Sequence, residues 1–173
     1  MPSEPISTLV IENMAARFGN ISQANGDWFN VLPAQVQTVK RDQTDQTSSG
    51  LPAVIVFPMD EDFTRQGKQG FDAPYMFATG TLSGVAQAMM TTDFRNPGQY
   101  VRDAGRLKVD MWKAFTADRS NGGLCDDSII TKVWARPVSS DLGQFALTML
   151  WKTIIRTIVN DPTQSRAYTN PTA

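Results

Sequence analysis

The sequence predicts an α+β fold: a two-layer sandwich of a mostly antiparallel β-sheet with two helices packed on one face. Three observations carry that expectation. Two segments repeat apolar residues at three- and four-residue steps, as amphipathic helices do. Several others alternate, or run apolar and β-branched over a few residues, as strands do. The order reads helix, two or three strands, helix, two strands, so hairpin-linked strands share one face with two helices.

The first helix is expected over residues 6–18. Ile6, Leu9, Val10, Met14 and Phe18 make one stripe, and Gly19 and Asn20 stop it. Ser3 can cap it, and Pro5 is tolerated in its first turn, where an N–H would be unpaired anyway. Asn25-Gly26-Asp27 signals a turn, after which residues 28–39 read as extended, with Pro33 weakening the start of the strand. Residues 40–50 contain no apolar side chain and are expected to form a polar hairpin connection on the surface. Leu51-Pro52-Ala53-Val54-Ile55-Val56-Phe57-Pro58 has the pattern of a central strand buried on both faces. Residues 60–73 read as a second polar loop, and residues 74–90 as extended again. Gly80 and Gly84 there suggest a bulge or the close approach of another backbone.

Asn96-Pro97 opens the second helix, expected over residues 97–116, with Asn as cap and Pro at the first position. Its stripe is Tyr100, Ala104, Leu107, Met111, Ala114 and Phe115. The opposite face carries Arg102, Asp103, Arg106, Lys108, Asp110 and Lys113, which reads as a solvated face of interleaved charges. Residues 117–124 end the helix in a turn built on Asp118, Gly122 and Gly123, where at least one glycine is expected at positive φ. Residues 128–136 and 144–157 form a final hairpin around Ser139-Ser140-Asp141-Leu142-Gly143. Residues 160–173 are polar and are expected to be a flexible tail. The domain therefore spans residues 1–159 and the tail 160–173.

Composition narrows the chemistry. At 173 residues with 41% apolar side chains, one domain can bury a core without disulfides. Sixteen basic residues against seventeen acidic give a net charge of −1, which excludes the strongly basic footprint of a phosphate-gripping DNA binder. No apolar run approaches the ~18 residues of a membrane-spanning helix. Met1-Pro2-Ser3-Glu4 has neither basic nor apolar signal regions, so cytoplasmic synthesis is expected. The chain has no histidine, which removes His-based triads, Cys–His pairs and His-containing zinc sites. Its single cysteine, Cys125, cannot form an internal disulfide, and the adjacent Asp126 and Asp127 are expected to raise its thiol pKa. No phosphate-cradling glycine motif occurs. Asp60-Glu61-Asp62 and Asp126-Asp127 are acidic clusters without a recognisable cation-loop spacing. No catalytic residue, metal or cofactor is expected. Trp28, Trp112, Trp134 and Trp151 fall mostly in periodic elements and read as core or subunit contacts.

Taken in order, these segments resemble a known family. A helix over residues 6–18 precedes Asn25-Gly26-Asp27-Trp28 and a short strand. A polar hairpin leads into Leu51-Pro52-Ala53-Val54-Ile55-Val56. The second helix ends in Phe115-Thr116-Ala117-Asp118-Arg119-Ser120-Asn121-Gly122-Gly123-Leu124, and the last hairpin ends in a long alternating strand. Over residues 6–157 the chain resembles the tail terminator (tail completion, or neck) proteins of long-tailed bacteriophages. The resemblance implies a structural virion protein with no catalytic residues, forming a ring, usually a hexamer, at the head-proximal end of the tail tube. It would stop tube polymerisation and join the tail to the head connector. Its partners would be copies of itself, the major tail tube protein and the head completion protein, with DNA passing through the lumen without specific binding and no membrane contact. The two polar loops would meet neighbouring subunits through Lys40, Arg41, Asp60, Asp62, Arg65 and Lys68. Two alternatives remain open: another head–tail joining or tail-tube subunit, and a metal-dependent hydrolase built on Asp60, Asp62 and Asp126.

Overall fold

Pro5 occupies the N-cap of α1 (Ile6–Gly19) in an extended conformation, and its carbonyl accepts the first helical bond from Leu9 N–H at 3.1 Å. No side chain caps this end, so Pro5 precedes the first turn rather than lying in it; Ser3 lies outside the described residues. The structure is a computed structural model that describes residues 4–21, 28–30, 36–38, 53–66, 77–158 and 161–165. Six further strands and helices follow α1 before the last strand: β1 (Val36–Thr38), β2 (Ala53–Gln66), β3 (Phe77–Thr91), α2 (Pro97–Thr116), β4 (Asp127–Ser139) and β5 (Gln144–Ile158). The chain then adds β6 (Asp161–Ser165).

The architecture is α+β, one sheet with both helices on the same face. The sheet runs β1-β2-β3-β5-β4, antiparallel except that β1 pairs parallel to β2. Strand alternation sorts the side chains. Val54, Val56, Leu82, Ala86, Ala88, Phe145, Leu147, Met149, Trp151 and Ile155 join the helices in the core. α1 contributes Ile6, Val10, Ile11, Met14, Ala15 and Phe18; α2 contributes Leu107, Met111, Ala114 and Phe115. Tyr100 extends the core through Phe94 and Phe145, with ring centroids 5.1 and 5.5 Å apart. α1 lies over β1 and β2, and α2 over β5 and β4.

Four expectations need correction. Of the residues 28–39 read as extended, 36–38 form β1 and 28–30 are irregular, whereas 31–35 and 39 lie outside the described residues. β1 and β2 pair in parallel, so they are not the two arms of a hairpin, and residues 39–52 between them lie outside the described residues. The expected loop at residues 60–73 is strand as far as Gln66: β2 continues because Phe77–Thr81 of β3 supplies its backbone partners. Polarity signalled a loop there, but Asp60, Glu61 and Asp62 are exposed on β2, where polar side chains suit a strand. The pairing also reaches Asp161–Ser165, in the segment read as a tail. β6 pairs with β5 at Thr157 and Ile158, beyond the point where β4 stops.

Two glycines show why local composition matters. A Cβ on Gly84 would lie 2.1 Å from the Trp151 ring, so the approach foreseen there is made by an aromatic side chain, not a backbone. The bulge sits on the partner strand, where Met59 is the extra residue between Pro58 and Asp60. Gly143, at φ +63°, closes the β4–β5 turn against Thr92, whose N–H donates to its carbonyl at 2.7 Å.

Candidate functional site

The turn after α2 is a built polar centre. Ala117 closes the helix in a right-handed conformation, and Asn121, Gly122 and Gly123 then follow at φ +51°, +72° and +82°. Both glycines therefore take the left-handed conformation that the Gly-Gly pair allows without a Cβ penalty. The Asp118 carboxylate holds the loop by accepting from Ser120 N–H at 3.0 Å, Ser120 Oγ at 2.7 Å and Gly122 N–H at 2.5 Å. The Ser120 hydroxyl, then the Gly122 and Ser120 N–H groups and the Arg17 charge, hold its carboxyl below the usual value, against a smaller opposing effect of burial. Asp118, Gly122 and Gly123 are thus brought together as one turn.

Arg17 and Asn121 tie that turn to the rest of the fold. The Arg17 guanidinium, reaching across from α1, donates to the Phe115 carbonyl at 2.9 Å, to the Asp118 carbonyl and to Asn121 Oδ1. It meets carbonyls that the last turn of α2 leaves without helical partners, where a cation is also favoured by the helix dipole. Burial pulls its pKa below the ordinary arginine value, partly offset by Asp118 and Cys125. Asn121 is fully buried, and its Nδ2 donates to Ser128 Oγ at 2.7 Å and Cys125 Sγ at 3.1 Å; Ser128 Oγ bonds Thr153 Oγ1 at 2.7 Å. Burial raises the Cys125 thiol pKa, with Asn121 and Ser128 opposing and Asp118 adding little. The raised value expected from Asp126 and Asp127 thus has a different cause.

The carboxylates flagged in the sequence are dispersed. Asp60, Glu61 and Asp62 are exposed on β2, past the three residues that β1 covers. Arg65 follows on the same strand, whereas Lys40, Arg41 and Lys68 lie outside the described residues. Asp126 pairs with Arg156 at 2.6 Å, and Asp127 with Arg119 at 2.8 and 2.5 Å. Asp62, Thr81, Ile154 and Asp127 occupy one cross-strand row. Three strand spacings, about 14 Å, separate the ends of that row. Asp60 and Asp62 therefore do not converge with Asp126. Among the described residues no cluster of three or more carboxylates or thiols forms a metal-binding group.

Residues that sequence reasoning missed lie on α2. Asp110 was placed on the solvated face but is fully buried. Its carboxylate accepts from Phe29 N–H at 3.2 and 3.1 Å, Asn30 N–H at 2.9 Å and Asn30 Nδ2 at 2.7 Å. Asp103 is turned aside, accepting from Thr92 Oγ1 and Gln99 Nε2, both at 2.7 Å. Arg102, Arg106, Lys108 and Lys113 are exposed on the outward side of the helix. Arg106 stands 5.7 Å from the Phe29 ring centroid and Lys113 4.9 Å from that of Trp28. Asp103 and Asp110, seven residues apart, share one face of the helix between the flank of Arg102, Arg106 and Lys113 and the apolar stripe, which was the available signal.

The chain matches no protein-family model, and no curated protein matches it in sequence. No helix among the described residues is long and apolar enough to cross a membrane.

Proposed function

We propose that the chain is a non-enzymatic structural subunit of a bacteriophage virion. It forms a ring on the head-proximal end of the tail tube, terminates tube growth and joins the tail to the head connector. The observation that carries this reading is the ordered resemblance of residues 6–157 to tail terminators, on an α+β sheet with helices on one face only. No described element covers the opposite face, where Ile129 and Ile154 are exposed and Trp134 is half-buried beneath Lys132. A sheet face of this kind suits packing against neighbours in an assembly. The near-zero net charge suits a conduit that lets DNA pass without gripping it.

The deciding experiment is electron microscopy of particles carrying a tagged copy of the chain, together with particles lacking it. The expected result is a ring of density at the head-proximal tube end, and tails of uncontrolled length without it. Normal-length, head-joined tails in its absence would overturn the reading. Density along the whole tube would favour the tail-tube alternative.

A further inference from the structure

The sheet face turned away from the helices carries charge of opposite sign at its two sides. Register places Asp60, Ser83, Lys152 and Ile129 in one cross-strand row and Asp62, Thr81, Ile154 and Asp127 in the next, so these side chains share a face. Leu82, Trp151 and Ile155, which alternate with them, join the helices in the core. Asp60 and Asp62 stand on β2, Lys152 on β5 and Lys132 on β4, all exposed. Lys132 falls on the same face, paired with Leu150, and its ammonium lies 5.2 Å from the Trp134 ring centroid. Apolar side chains lie among these charges: Ile129 and Ile154 are 49% and 43% exposed, and Val85 and Leu150 adjoin them in the next row.

Among the described residues these charges form no ion pair with one another. The ion pairs at this end of the sheet are Arg119–Asp127 and Arg156–Asp126, and neither involves Asp60, Asp62, Lys132 or Lys152. Asp60 and Lys152 stand two strand spacings apart, about 10 Å, with Ser83 between them. The pattern is self-complementary under one operation. A two-fold axis parallel to the strands, between β3 and β5, lays β3 of one molecule over β5 of the other, and β2 over β4. Asp60 of each copy then meets the side of the other that holds Lys152, Ile129 and Lys132. Asp62 faces Asp127, whose charge Arg119 already meets at 2.8 and 2.5 Å. Ile154 comes over Thr81, and Leu150 over Val85. An axis across the strands would instead set acid over acid and base over base.

We propose that this face binds a second copy of the chain, sheet to sheet, in a two-fold pair. The contact is isologous, so each interaction occurs twice: Asp60 with Lys152 and Lys132, Ile154 with Thr81, Leu150 with Val85. Facing sheets pack about 10 Å apart, a gap that a lysine side chain spans. Ile129, Ile154 and Leu150 provide the desolvated centre, while opposed charge fixes the orientation and rejects the crossed one. The pairing goes beyond the ring reading and does not rest on it, since a two-fold contact by itself joins copies only in pairs.

Charge exchange tests it. The full-length chain is compared with Asp60→Lys/Asp62→Lys, with Lys132→Glu/Lys152→Glu, and with all four changes combined, by size-exclusion chromatography with light scattering up to about 1 mM. All four side chains are exposed, and circular dichroism establishes that each variant is folded. Each double variant is expected to weaken pairing about tenfold or more, halving the mass where the wild type is paired. The combination, which exchanges the two signs, restores it, and wild-type pairing weakens as salt rises. Unchanged mass of either double variant, no restoration in the combination, or a wild-type chain that stays monomeric throughout overturns the pairing. A larger ring that neither double variant alters also overturns it and leaves the tail-end reading standing, which the particle images decide separately. If Lys132→Glu/Lys152→Glu leaves the mass intact but abolishes retention of a short DNA duplex, the face serves a nucleic acid and the proposal falls.

Discussion

Asp110 ties residues 29 and 30 to α2. A buried carboxylate is tolerated only when its oxygens are bonded, and here two backbone N–H groups and one amide converge on it. Asp110→Ala would leave the Phe29 and Asn30 donors unmet and is expected to cost about 2–4 kcal/mol in urea unfolding. At Asp118 the folded-state pKa lies below the unfolded value. Its contribution is therefore present above the unfolded value, about pH 4, and disappears as pH falls through the folded one. Asp118→Asn should lower stability by about 0.5–1 kcal/mol near neutrality, because this carboxylate is partly solvated. The difference from the wild type should shrink in thermal melts as pH falls below the unfolded value and through the lower folded one.

Among the elements, α2 and β5 carry the core. Leu107 is fully buried between the helix and the sheet. Leu107→Asp would bury an unpaired charge and is expected to cost at least about 4 kcal/mol, read as loss of the cooperative unfolding transition. Gly84 makes the corresponding demand on β3, because the Trp151 ring lies where its Cβ would be. Gly84→Ala should displace that ring and cost about 1–3 kcal/mol, with a shift in tryptophan fluorescence reporting the movement. An unchanged spectrum and midpoint would show that the ring can move without loss. The sheet edges differ in kind: β4 and β6 together flank β5, whereas among the described residues no further strand pairs with β2 beyond Val56, where carboxylates lie along it. Charge of this kind deters indiscriminate edge pairing.

At the scale of the whole molecule, charge is unevenly spread. The near-neutral total conceals a basic helix face and an acidic strand edge on opposite sides of the sheet. Residues 43–49, which lie outside the described residues, are uniformly polar in sequence. Their deletion is expected to leave the thermal midpoint within about 1 kcal/mol-equivalent of the parent. In particles it should weaken ring docking, seen as tails of variable length. Infectious particles with normal tails would show that this segment plays no part in assembly.

The sequence by itself determined the elements whose signals are local. The apolar steps of α2, its Asn96-Pro97 start and the left-handed Gly122-Gly123 turn need only neighbours along the chain, and each stands where the pattern put it. So does β5, whose alternation continues to Ile158. The tertiary structure decided everything that depends on a distant partner. Asp110 sits one residue before the stripe member Met111, and only Phe29 and Asn30, some eighty positions away, turn it from a surface charge into a buried acceptor. Polar residues 60–66 become strand because β3 offers them a ladder, and β1 runs parallel because its register is chosen by β2. Arg17 belongs to the end of α2 although its own helix gives no hint of it. Periodicity reports which face of an element is apolar; it carries no information about which donors, rings and strands the folded chain brings to that face.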